Sequence, residues 1–108
     1  MTRLRWTEPA QNDFLGVVSW IERENPAAAA RVGRRILDAA EDLASHPYLG
    51  KPGRVPQTRE LVVTRFPYLI VYAVEAGNGT EEQPELVVIL RVLHGAMLWP
   101  APEASNDD

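Results

Sequence analysis

The chain contains no cysteine. That excludes a disulfide framework, thiolate nucleophiles and every metal site built on sulfur. Histidine is nearly as scarce: His46 and His94 are too few and too far apart in sequence to suggest a His-based zinc site. No apolar run approaches the roughly 18 residues that a membrane-spanning helix needs. The opening MTRLRWTEPA carries charge without the apolar centre of a signal peptide. These absences lead to the expectation of a soluble cytoplasmic chain with no membrane segment, no cofactor and no metal.

Basic residues are missing from two stretches, 75–85 and 101–108, and those stretches hold Glu75, Glu81, Glu82, Glu85, Glu103, Asp107 and Asp108. The formal charge of -4 therefore misdescribes the body of the molecule. Elsewhere eight acids stand against all eleven bases, a balance of 11 − 8 = +3. A mildly basic body can present a positive face, but it lacks the strongly basic footprint expected where phosphate binding dominates. With 108 residues and 45% apolar content, the chain makes one domain over residues 1–100, followed by an acidic tail at 101–108 expected to be disordered.

What is present divides into two halves by period. RLRW, residues 3–6, alternates polar and apolar as a short strand does. Thr7 followed by Pro9 signals a helix start, a hydroxyl cap with proline in the first turn. Ala10, Phe14, Val17, Val18 and Ile21 then fall at helical spacing, with Asp13 off that stripe. Asn25-Pro26 repeats the start signal. In the second helix Ala29, Val32, Ile36, Ala39, Ala40 and Leu43 form the buried stripe, while Arg31, Arg34 and Arg35 lie on a solvated face. SHPYLGKPG ends it. The second half is rich in Val, Ile, Leu and Tyr, and RELVVT (59–64), YLIVYAVE (68–75) and ELVVILRVL (85–93) read as three strands. Simple alternation along the last strand puts Arg91 on one face with Val87, Ile89 and Leu93. The fold class is α+β, in the order β-α-α-β-β-β, with an N-terminal helical hairpin packed on a small, mainly antiparallel sheet.

Several of these segments resemble the RelE/ParE superfamily of toxins from type II toxin–antitoxin systems. The resemblance rests on the Thr-x-Pro-capped first helix, Gly50-Lys51-Pro52-Gly53, RELVVTRFPYLIVYAVE (59–75) and VVILRVLHGAMLWP (87–100), and runs from about residue 3 to 100. It implies a toxin neutralised by a small cognate antitoxin of the ParD or RelB kind, with a DNA-binding N-terminal region. A toxin–antitoxin hetero-oligomer and a role in plasmid stabilisation are expected with it. RelE-type and YoeB-type members cut messenger RNA on the ribosome, whereas ParE-type members act on DNA gyrase or have no known target.

Alignment with the RNA-cleaving members places Glu60 and Val62 where the strand lysines of the RelE type stand. Leu69 takes the place of the middle-strand arginine, and the late arginine falls near Ala96 with no tyrosine after it. The YoeB type keeps its histidine as His94, but Gly53 and Leu69 stand at its glutamate and arginine positions. Cleavage requires a base for the 2′-hydroxyl, an acid for the leaving oxygen and cations on the phosphate. The ParE-like reading, without chemistry of its own, is therefore favoured. The alternative is a ribosome-dependent endoribonuclease built on His94 with Arg91, Arg65 and Arg59. Each of these also has a structural reading: Arg91 paired with an acid such as Glu60, His94 at a strand end, and Arg59 and Arg65 flanking a strand. Tyr68, Tyr72 and the tryptophans Trp6, Trp20 and Trp99 are expected in packing roles.

Overall fold

A computed structural model describes residues 2–77, 80 and 84–95. Chain order is β1 (Thr2–Trp6), α1 (Glu8–Glu22), α2 (Pro26–Ser45), β2 (Lys51–Pro52), β3 (Arg59–Val62), β4 (Tyr68–Glu75) and β5 (Glu85–His94). The expected tail at 101–108 and Trp99 lie outside the described residues.

The helix starts follow the cap chemistry. Thr7 accepts at its hydroxyl oxygen from the Ala10 amide at 3.2 Å, and Pro9 sits in the first turn of α1. Asn25 accepts from the Ala28 amide at 3.0 Å, and Pro26 opens α2. Each cap satisfies one amide that the helix itself leaves unpaired. The predicted stripe of α2 is buried throughout, from Ala29 to Leu43.

The sheet runs β1-β5-β4-β3-β2. β3, β4 and β5 pair antiparallel in succession, while β1 pairs parallel with β5, Thr2 against Glu85 through Trp6 against Ile89. β5 is thus interior, between β1 and β4. The helical hairpin covers one face, where Val32, Ile36, Leu43, Ile70, Tyr72, Val87 and Ile89 form the core. Burying each large apolar side chain contributes about 1.5–3 kcal/mol.

Three strand expectations are corrected. Lys51–Pro52, read as part of a turn, is a short edge strand paired with Arg59 and Glu60. Proline is tolerated there because an outer edge needs no amide donor. β3 ends at Val62 rather than Thr64, although the Val63 amide still donates to the Tyr68 carbonyl at 2.9 Å. The third concerns faces. Val71 pairs with Arg91 but Tyr72 pairs with Ile89, so Leu90 is an extra residue, a β-bulge. Val87 and Ile89 face the helices, whereas Arg91 and Leu93 do not share that face, contrary to simple alternation.

Candidate functional site

Thr7 marks where β1 stops covering β5. Its amide donates to the Ile89 carbonyl at 3.0 Å, and its hydroxyl lies 3.0 Å from that carbonyl oxygen and 3.1 Å from that of Leu90. Among the described residues no strand flanks this edge of β5 beyond Leu90, and α1 takes over. Asp13, one and a half turns into α1, accepts from the Val92 amide at 2.9 Å. The same carboxylate binds the Arg91 guanidinium through both oxygens, Nε to Oδ2 at 2.7 Å and Nη2 to Oδ1 at 3.0 Å. That hydrogen bond raises the Arg91 pKa above its ordinary value. The partner anticipated for Arg91, Glu60, is engaged elsewhere: it is buried beneath Arg54, accepting from the Arg54 amide at 3.0 Å with Nε 3.5 Å away. The two acids differ because Asp13 sits at the open edge of β5, two strands away from Glu60.

Next to this lock lies a trough. Asn12, Gly16 and Trp20 recur every four residues and share one face of α1. Nothing lies within 4 Å of where a Cβ on Gly16 would stand, so the helix surface is open at that point. Together with Tyr68 and His94 these residues enclose about 330 Å³, and Asp13, Val17 and Val92 complete the lining. Trp20 was expected to pack, but it is 69% exposed, with the Arg23 guanidinium 5.1 Å from its ring centroid. His94 is exposed at the end of β5 opposite Tyr68, the two rings edge-to-face at 5.5 Å.

The four proposed catalytic candidates do not converge. Arg65 is exposed in the β3–β4 turn, at φ 73°, and this turn shares an end of the sheet with His94, since the Gly95 amide donates to the Pro67 carbonyl. Arg91 is held by Asp13. Arg59 is opposite Tyr72 while His94 is opposite Tyr68. Four residues along β4 amount to about 13 Å, and two strand spacings add about 9.5 Å across it. Arg59 is spent on the turn after α2, donating to the Gly50 carbonyl from Nε at 3.1 Å and from Nη2 at 2.6 Å, with the Tyr48 ring 5.2 Å beneath it. Among the described residues no three of His, Asp and Glu cluster as metal ligands would.

Tyr72 joins that same turn. Its ring is wholly buried as expected, and its hydroxyl is inside as well, donating to the Pro47 carbonyl at 2.8 Å and accepting from the Gly50 amide at 2.9 Å. Gly50 is required by closeness: a Cβ there would stand 2.6 Å from the Glu60 carbonyl oxygen and 2.8 Å from the Tyr72 hydroxyl.

A second hollow, about 210 Å³, lies between Trp6, Gln11, Phe14, Leu15 and Leu37 on the hairpin. Leu15 and Leu37 are among the exposed large apolar side chains. Neither hollow was read from the sequence. The available signals were Gly16 inside a helix and Trp20 four residues later. No helix is long and apolar enough to cross a membrane among the described residues.

Residues 4–99 match the family model described as ParE toxin of type II toxin-antitoxin system, parDE. A protein of Sinorhizobium fredii named "Putative toxin Y4kP" is 40% identical over 98 residues, 91% of this chain and 93% of its own length. "Toxin RelE2" of Caulobacter vibrioides is 36% identical over 98 residues, 91% of this chain and 100% of its own. Two solved structures share the fold. The chromosomal ParDE toxin–antitoxin system of P. aeruginosa aligns with TM-score 0.73 at 23% identity, over 87% of this chain and 96% of that one. The toxin–antitoxin complex RelBE2 of Mycobacterium tuberculosis aligns with TM-score 0.52 at 28% identity, over 85% and 95%. The chain belongs to the ParE toxin family, within the RelE/ParE superfamily of type II toxin–antitoxin toxins.

Proposed function

We propose that this toxin acts by binding rather than by cleavage, in the manner of ParE-like poisons of DNA gyrase. In this reading a ParD- or RelB-like antitoxin with a DNA-binding N-terminal region holds it in check in the cytoplasm, as part of a plasmid-stabilising pair. The observation that carries the reading is the commitment of the cations. Arg91 is consumed by Asp13 and Arg59 by the Gly50 carbonyl, so neither is aimed at a phosphate. Val62 and Leu69 offer no charge to a transition state. A supercoiling assay with purified toxin tests it: inhibition or accumulated cleaved DNA is expected, and full gyrase activity at large molar excess removes the gyrase target.

A second reading, the ribosome-dependent endoribonuclease, draws on His94, Tyr68 and Arg65 sharing one end of the sheet, and on the relative named RelE2. It requires codon-positioned cuts in translated messages, lost in His94→Ala with the fold intact. Full toxicity of His94→Ala and Arg65→Ala in cells would rule it out.

A further inference from the structure

Along α2 the exposed residues Ala27, Arg31, Arg34, Asp38, Glu41 and Ser45 follow one another at alternating steps of four and three, so they form one outward stripe. The charges are badly placed for the helix that carries them. Bases precede acids, against the helix dipole, and the first turn holds no acid and the last no base. Arg31 and Arg35 are like charges four residues apart, as are Asp38 and Asp42, and such pairs repel. Arg34 does reach Asp38, at 3.7 Å, but both side chains are exposed and the base stands N-terminal to the acid, the less favourable order. Within one chain this arrangement stabilises little.

Between two chains it is self-complementary. Arg34 and Asp38 lie two positions either side of the buried Ile36, Arg31 and Glu41 five, and the small residues Ala27 and Ser45 nine. Turned end for end about Ile36, the stripe sets every base on an acid. We propose that the outer face of α2 binds the same face of a second copy of this chain, the two helices antiparallel about a two-fold axis at the level of Ile36. Arg31 then meets Glu41 of the second copy and Arg34 meets its Asp38, and the symmetry makes each pairing twice. An axis lying between the helices and perpendicular to them also keeps like flank against like flank. The flank toward α1 is apolar, since Leu37 and Leu15 are both exposed and line one hollow together. Leu15 and Leu37 of each copy are thereby gathered on one side of the stripe. Apolar burial supplies attraction, and the charges select the antiparallel pairing, because a parallel one sets base on base and acid on acid. The inference is independent of the cellular target.

The experiment is sedimentation velocity on the full chain, free of antitoxin, over a range of protein and salt concentrations. The mass is expected to rise toward two chains with concentration and to fall back as salt screens the pairs. A single chain at every concentration up to about 1 mM overturns the proposal. Two charge variants then test the pairing itself. Arg31→Glu with Arg34→Glu makes the stripe wholly acidic, and Asp38→Arg with Glu41→Arg makes it wholly basic. Each alone is expected to self-associate at least about tenfold more weakly, and the two mixed are expected to pair with each other. Unchanged self-association of either, or no pairing in the mixture, overturns the proposal. The exchange Arg34→Asp with Asp38→Arg keeps both total charge and complementarity, so it should associate as the original chain does; its loss of association, with α2 intact by circular dichroism, also overturns it. Weaker antitoxin binding by the charge variants of a toxin that is itself monomeric gives this face to the antitoxin instead.

Discussion

Asp13 holds Arg91 with both carboxylate oxygens while also accepting the Val92 amide, so one side chain closes the edge of β5 that β1 leaves open. Losing it strands a guanidinium and a backbone donor together. Asp13→Ala is expected to cost about 2–3 kcal/mol in urea denaturation, and Arg91→Ala less, because Asp13 then keeps Val92. A double-mutant cycle reads the coupling directly. Any loss of toxicity in Arg91→Ala should follow this loss of stability, measured as soluble protein in the cell.

Tyr72→Phe removes a buried hydroxyl that ties Pro47 to Gly50. One amide and one carbonyl lose their partner, at about 1–3 kcal/mol. In a domain of this size, a melting temperature lower by roughly 5–10 °C is expected in a thermal scan. Gly50→Ala should be at least as damaging, since its new methyl meets backbone rather than a movable side chain.

Gly16→Ala runs the other way. The position is helical and open, and alanine there is expected to stabilise by about 0.5–1 kcal/mol. The same methyl intrudes on the trough beside Trp20 and His94. If this trough receives a protein partner, calorimetric titration with the cognate antitoxin or target will show weaker binding by a more stable toxin. Trp20→Ser, at an exposed position, should weaken the same binding with little change in stability.

The Tyr48 hydroxyl donates to Glu85 at 3.2 Å, and this hydrogen bond, followed by the Glu85 charge, raises the Tyr48 pKa above its ordinary 10.0. A raised pKa means that the folded chain favours the neutral phenol. Its contribution is complete below the unfolded value and fades as pH climbs through the raised one. Ultraviolet titration of Glu85→Gln should bring the Tyr48 midpoint back down, with Tyr48→Phe identifying the transition that belongs to it.

Much of this architecture is legible in the residues, and the reasons differ from element to element. Thr7 and Asn25 announce α1 and α2 because cap chemistry is local, needing an oxygen three residues before an amide. The stripe from Ala29 to Leu43 is equally local in its periodicity. Lys51–Pro52 is not legible, because a two-residue strand exists by virtue of the partner it finds in Arg59 and Glu60. The Asp13–Arg91 pair spans 78 positions and depends on the parallel docking of β1, which no window of sequence contains. Trp20 looked like packing because an aromatic residue beside Ile21 fits a core as well as a surface. It lies instead on the outward side of α1, in line with the exposed Asn12 and Gly16.

The extra residue at Leu90 changes the parity of β5. Val88, Val92 and His94 all carry even numbers, and an uninterrupted strand would turn all three to one side. Instead Val88 faces away from the helices while Val92 joins the core beneath them, and His94 follows Val92 to the rim of the α1 trough. Deleting Leu90 would send Val92 out of the core and His94 to the opposite face in a single step. The imidazole's side of the molecule is thus set by counting, four residues upstream of the histidine itself.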